Sequence, residues 1–273
     1  MSKIFASLAL IILFTACEKS VNSGNIPNYS KYPIELNKEW EYNTIFKLEY
    51  YDLSGHIDST EIMDLGNTIC KITKLNDSVG NFSKLVLFEE YDVTTPQYIH
   101  KMWYLNADSG LYAIVYSNPG SSQIIIPKMN IKSDEDFIKI IMRFGLSPAS
   151  YEGGKSQNLP GDSIQFYTYP RKVLEYPIRL GSRWVELIDP FYRERFIAKE
   201  ENVTINGVTY NCFKVESDWN WQLIFNDYIN LKSGLVMREF RTDSVAIINE
   251  NSPDPVGYYR FSSISKLVRE TEP

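Results

Sequence analysis

The chain reads as mainly β: two similar antiparallel units, curved-sheet or half-barrel in kind, with one short connecting helix. Three observations predict this. Large side chains alternate with polar ones over long stretches, turn signals separate those stretches, and a nine-residue motif occurs twice. Trp40 to Tyr50 shows the alternation, with Trp40, Tyr42, Phe46, Leu48 and Tyr50 on one parity. Period 2 over this length describes a strand with one buried face. Tyr32-Pro33-Ile34-Glu35-Leu36-Asn37-Lys38-Glu39-Trp40 matches Tyr176-Pro177-Ile178-Arg179-Leu180-Gly181-Ser182-Arg183-Trp184 at a constant offset of 144, with five identities in nine. Such self-similarity points to a duplicated unit.

Further elements follow in order. Leu85 to Phe88 and Met102 to Leu105 have strand composition. Asp108-Ser109-Gly110 is a turn, since Gly tolerates positive φ, and Leu111 to Tyr116 returns as its hairpin partner. A second Ser-Gly-Leu, Ser233-Gly234-Leu235, opens Leu235 to Phe240 at an offset of 124, so the second unit is about 20 residues shorter between its motifs. Val203 to Ile205 and Val208 to Tyr210 flank Asn206-Gly207, the strongest short hairpin signal. Tyr258 to Val268 continues the series. The exception is helical: Ser133 and the acidic Asp134, Glu135 and Asp136 begin a turn, and Phe137, Ile140, Ile141 and Phe144 follow at helical spacing up to Gly145. Ser147 to Ser163, rich in Gly, Pro, Ser and Asn, reads as a flexible connector. The short turns imply antiparallel pairing, either as two packed sheets or as one curved sheet.

The N-terminus carries an address. After Lys3, Ile4 to Ala16 forms an apolar run of 13 residues, too short to span a bilayer and right for a signal-peptide core. It ends in Leu13-Phe14-Thr15-Ala16-Cys17, which resembles the lipobox of bacterial lipoproteins. That resemblance implies cleavage between Ala16 and Cys17 and acylation of the Cys17 thiol, with Phe14 departing from the commoner Leu. Glu18 to Lys31 then reads as a tether with a reach of about 20 Å. The expected organisation is a signal peptide over 1–16, a lipidated cysteine and tether over 17–31, and a first β-unit over 32–128. A helix and linker over 129–172 and a second β-unit over 173–273 complete it. The partner expected from this is a membrane, held through N-terminal acyl chains, with the outer membrane favoured and the body in the periplasm or at the cell surface.

The duplicated Tyr-Pro-Ile-x-Leu-x-x-x-Trp, the later Ser-Gly-Leu and Asn206-Gly207-Val208-Thr209-Tyr210-Asn211-Cys212 resemble uncharacterised lipoproteins of Bacteroidota-type bacteria. The resemblance covers most of the chain after Ala16, although Asn37 stands where that family more often has Gly. It implies a β-rich exported lipoprotein and transfers no chemistry to particular residues.

Composition excludes several classes. With 44% hydrophobic and 14% aromatic residues the chain is not disordered, and a net charge of −6 gives no basic face for nucleic acid. Removing residues 1–16 takes away Lys3 and leaves 27 basic against 34 acidic side chains. His56 and His100 stand alone, with no paired histidines and no Cys-x-x-Cys, so neither a metal nor a cofactor is expected. There is no Gly-x-Ser-x-Gly elbow. Glu89-Glu90 and Glu200-Glu201 could serve a glycosidase at the right separation, but adjacent acids on a strand point to opposite faces and read as solvated edges. No catalytic residue is assigned. Cys70 and Cys212 lie at comparable places in the two units and could pair in an oxidising compartment, or could be small buried strand residues. The aromatic pairs Tyr50-Tyr51, Trp103-Tyr104, Trp219 with Trp221, and Tyr258-Tyr259 could stack sugars or line a lipid groove; as core residues they would form cross-strand contacts.

Three functional classes stand. The first is a non-enzymatic binding or structural lipoprotein whose partner is an envelope protein or polymer. The second is a carrier of an apolar ligand, since a curved sheet half-closed around an apolar concavity is a fold of periplasmic lipoprotein carriers. The third is a glycan or ester hydrolase.

Overall fold

Alternating burial makes β1 (Glu39–Tyr51) the wall of an interior: Trp40, Tyr42, Thr44, Phe46 and Leu48 all turn one way and are buried. In this computed structural model, which describes residues 30–93, 99–118, 163–188, 192–218, 223–248 and 254–271, eleven further strands continue that wall. They are β2 (Ile57–Val79), β3 (Phe82–Asp92), β4 (Ile99–Ala107), β5 (Gly110–Asn118), β6 (Ser163–Glu175), β7 (Arg183–Leu187), β8 (Arg193–Ile205), β9 (Val208–Asp218), β10 (Leu223–Asn230), β11 (Gly234–Ile248) and β12 (Pro255–Thr271).

All twelve form one antiparallel sheet in the order β6-β5-β4-β3-β2-β1-β12-β11-β10-β9-β8-β7. The sheet is thus two six-stranded meanders, β1 to β6 and β7 to β12, joined where β1 pairs with β12 from Glu39↔Thr271 to Tyr51↔Tyr258. It curls into a nearly closed barrel. At the remaining seam the end strands β6 and β7 meet through side chains: the Trp184 indole N–H donates to the Lys172 carbonyl at 2.8 Å, and Arg171 on β6 pairs with Glu186 on β7. Of the two arrangements left open by the sequence, one curved sheet is the observed one.

The Asn206-Gly207 turn adopts φ of 50° and 82°, the left-handed pair that a two-residue hairpin turn requires. Each matched Tyr-Pro-Ile stretch leads into the first strand of its meander, and each Ser-Gly turn joins the fourth strand to the fifth. The stretches also cross over. The Tyr32 N–H donates to the Tyr176 hydroxyl, and the Tyr32 hydroxyl accepts from the Leu235 N–H. The Tyr176 N–H in turn donates to the Ser109 carbonyl. Each motif therefore seats against the turn of the opposite meander, where Gly234 has φ +81° and a Cβ on it would lie 2.8 Å from the Tyr32 hydroxyl oxygen.

Aromatic rings fill most of the interior. Trp40 stacks on Phe88 at 6.0 Å, Phe88 meets Tyr104 edge-on at 4.9 Å, and Phe261 touches Phe46 at 4.3 Å and Phe240 at 5.3 Å. Edge-to-face and offset contacts of this kind add to the area buried. Thr44 and Ser265 exchange a hydrogen bond across the β1–β12 junction at 2.8 Å, so their buried hydroxyls are satisfied.

A smaller apolar cluster lies on the other face of β3 to β5: Leu85, Leu87, Trp103, Ile114 and Val115. It explains why Leu85–Phe88, unlike β1, is buried at consecutive positions. Phe166 of β6 packs over this side, stacking on Phe82 at 6.2 Å and leaving no room for a Cβ on Gly80.

One expected boundary shifts. The span 129–172 contains the start of β6 at Ser163, so the connector ends earlier and its last ten residues are strand. The helix expected over 133–144, the signal peptide, and Ala16, Cys17, Trp219 and Trp221 lie outside the described residues. Among the described residues no helix is long and apolar enough to cross a membrane.

Candidate functional site

Strand alternation also turns charged residues inward. Arg193 and Arg195 on β8 share parity with Ile197 and are buried. Asp227 lies between Phe225 and Ile229 on β10, Arg238 between Val236 and Phe240 on β11, and Glu186 two residues after Trp184 on β7. Arg171 comes from β6. Together they form a charged cluster in the lumen beside the seam.

Two carboxylates organise it. Glu186 Oε1 accepts from Arg171 Nε at 3.1 Å and Nη2 at 2.7 Å, while its Oε2 is 2.8 Å from Arg193 Nε. Asp227 Oδ1 accepts from Arg238 Nε at 2.6 Å, and its Oδ2 accepts from Arg195 Nη1 at 2.8 Å and Arg238 Nη2 at 3.0 Å. Arg195 also donates to the Val215 carbonyl at 3.3 Å. Three guanidiniums surround one ring: Arg193, Arg195 and Arg238 stand 5.4, 4.5 and 5.0 Å from the Phe225 centroid. Phe225 thus offers its electron-rich face to three cations.

Desolvation pushes both carboxyls up, yet both end below the ordinary range. For Glu186 the charges of Arg193, Arg171 and Arg195 outweigh burial. For Asp227 the charges of Arg238 and Arg195, with their hydrogen bonds, bring it to about 2. Both are therefore ionised at neutral pH. Glu90, turned inward on β3, is a third buried carboxylate, and its charge acts on Tyr42, Cys70 and Tyr104.

Beside this cluster lies a cavity of about 70 Å³. Its wall includes Glu186, Arg195, Asp227, Arg238, Cys70 and Tyr104 among apolar residues such as Phe88, Leu111 and Ile229. Burial pushes the Tyr104 hydroxyl and the Cys70 thiol well up, so both are neutral hydrogen-bonding groups here.

Cys70 and Cys212 are both free and both buried. Cys70 lies on the second strand of the first meander and Cys212 on the third strand of the second, so the two are not equivalent positions. The thiol pairing considered from sequence is absent from the structure. Burial raises both, Cys212 to about 12.

The paired acids divide as strand geometry requires. Glu89 faces out, 3.7 Å from Lys101, but Glu90 faces the core and is not part of a solvated edge. His100, opposite Glu90 on β4, is half-buried rather than exposed, and burial lowers its pKa. His56 sits in the exposed β1–β2 turn near Asp52 and Asp58. Trp103 and Tyr104 point to opposite faces, Trp103 donating to Asp77 at 2.9 Å in the outer cluster. Tyr259 is buried in the core and Tyr50 packs against it.

The six residues of the charged cluster were not among the sequence candidates. The signal that could have found them is phase: Arg193, Arg195 and Asp227 fall on the same parity as neighbouring apolar residues. Nothing in composition separates them from solvated charges.

No known protein family matches the sequence, and no curated protein matches it. Among solved structures, the chain resembles a Bacteroides fragilis protein with a YmcC-like fold. The TM-score is 0.40 at 11% identity, covering 89% of this chain and 99% of the other. Similarity at that level carries no statement about function.

Proposed function

We propose that this protein is a non-enzymatic binding module of a bacterial envelope, held to a membrane by acyl chains on Cys17. The anchor reading rests on Leu13-Phe14-Thr15-Ala16-Cys17 closing an apolar stretch too short to span a bilayer. Two acyl signals hold a protein stably at a surface where one does so only marginally. The body on that anchor is a β-barrel-like sheet.

The charged part of the lumen wall supports a polar binding role, and it is the observation that carries this reading. An apolar ligand would meet apolar wall at Phe88, Leu111, Val173 and Ile229, but four charged residues, Glu186, Arg195, Asp227 and Arg238, border the same cavity. An alkyl chain against them would offer no acceptor to the Arg195 Nε–H, which has no hydrogen-bond partner. A hydrolase of the two-carboxylate kind needs one carboxyl that holds a proton near neutrality. Guanidiniums keep both Glu186 and Asp227 ionised. A polar binding role fits this wall best.

Growth of the producing cells with radiolabelled palmitate tests the anchor. Label is expected in the wild-type chain and not in Cys17→Ala. An unlabelled wild-type chain would overturn the anchored reading.

A further inference from the structure

We propose that the lumen cavity binds a small oxyanion, of the carboxylate or phosphate class, on its Arg195 and Arg238 side. This deepens the binding role above and is independent of acylation.

Crowded guanidiniums are the first support. Four buried guanidiniums, Arg171, Arg193, Arg195 and Arg238, stand around the buried carboxylates Glu186 and Asp227. Three of those guanidiniums crowd within 5.4 Å of one ring centroid. Like charges at such spacing repel strongly where water is scarce. Glu186 and Asp227 offset part of that repulsion, and an anion beside Arg195 offsets more of it, whereas a cation would add to it.

Donor geometry is the second. Arg195 is buried and lines the cavity, and its Nε has no hydrogen-bond partner. The Glu186 carboxylate stands 3.7 Å from that nitrogen, outside hydrogen-bond range. A planar guanidinium fork is suited to carboxylate and phosphate oxygens. Tyr104 and Cys70, also in the cavity wall, add neutral groups that an oxyanion tolerates.

Size is the third. A cavity of about 70 Å³ holds on the order of five waters, so the ligand has only a few non-hydrogen atoms.

The test uses the full chain purified in detergent and its thermal unfolding midpoint. Sodium phosphate and sodium acetate are titrated separately, with sodium chloride keeping ionic strength constant. The proposal expects a saturable rise, about 5–10 °C at a hundredfold excess over the dissociation constant. Saturation by phosphate alone assigns the phosphate class, by acetate alone the carboxylate class, and by both a general oxyanion site.

Two variants separate binding from salt effects. Cys70→Met fills the cavity without touching the charges and is expected to abolish the saturable rise. Arg195→Lys keeps the charge but loses the fork, and is expected to raise the half-saturation concentration at least tenfold. A rise that never saturates and is equal in all three proteins reflects exclusion of salt from the surface, and it overturns the proposal. So does a half-saturation unchanged in Arg195→Lys, the deciding comparison if Cys70→Met does not fold. Loss of the anion response would leave palmitate labelling of Cys17 unaffected, so the two readings fail separately.

Discussion

Replacing Asp227 by Asn tests whether the lumen cluster is a mutually dependent set of charges. The change is nearly isosteric, so any effect comes from the lost charge and from an accepting oxygen exchanged for a donating NH2. Asp227 holds two guanidiniums, Arg195 at 2.8 Å and Arg238 at 2.6 Å, and all three side chains are buried. Removing one partner of a buried pair leaves an uncompensated charge, which costs about 3–5 kcal/mol. For a domain of this size that lowers the unfolding midpoint by about 6–20 °C.

The pH dependence gives a second measure. The folded carboxyl sits at about 2, below its ordinary 3.8. Between those values the unfolded chain binds more protons than the folded one, so stability rises with pH through that window. The contribution is complete above the unfolded value and disappears as pH falls through the folded one. The separation is worth about 2–3 kcal/mol. Thermal unfolding followed by circular dichroism from pH 7 to pH 2 should therefore show the wild-type and Asp227→Asn curves converging at the acid end. A fall of less than about 1 kcal/mol at pH 7, or two curves that stay parallel down to pH 2, would refute the argument.

Two further outcomes are expected. Gly234→Ala places a Cβ at φ +81° and 2.8 Å from the Tyr32 hydroxyl, whereas Gly207→Ala meets φ +82° with open space around it. Both should lose about 1–3 kcal/mol from backbone strain; denaturant melts should show Gly234→Ala losing clearly more, and equal losses would deny the Tyr32 contact a role. Cys70 and Cys212 should resist a thiol reagent in the native protein, since burial keeps both protonated. After denaturation Cys17→Ala should titrate two thiols, with no change in gel mobility on reduction; a native disulfide would lower the count to zero.

The strands were legible because one-sided burial writes itself as period 2. Trp40 to Tyr50 shows it directly, and Asn206-Gly207 marks its hairpin because few residue pairs accept two positive φ values. Leu85 to Phe88 was legible as strand but not as doubly buried, since the outer cluster with Trp103 and Ile114 depends on how the sheet coils. The candidate site was not legible. Arg193 and Arg195 look like any charged pair on an alternating strand, and Glu89-Glu90 gives no sign of which member faces in.

By itself the sequence determined the strand composition, the turns, the two matched stretches and an N-terminal stretch that resembles a lipobox. These are local properties, set by each residue's backbone preference and by the spacing of its neighbours. Only the tertiary structure decided that both meanders join into one nearly closed sheet, and which charges face the lumen. Curvature and register bring Arg171, Glu186, Arg195, Asp227 and Arg238 together from five strands. Such an assembly has no signature along the chain, because the electrostatic energy that binds it depends on distance in space and on the exclusion of water.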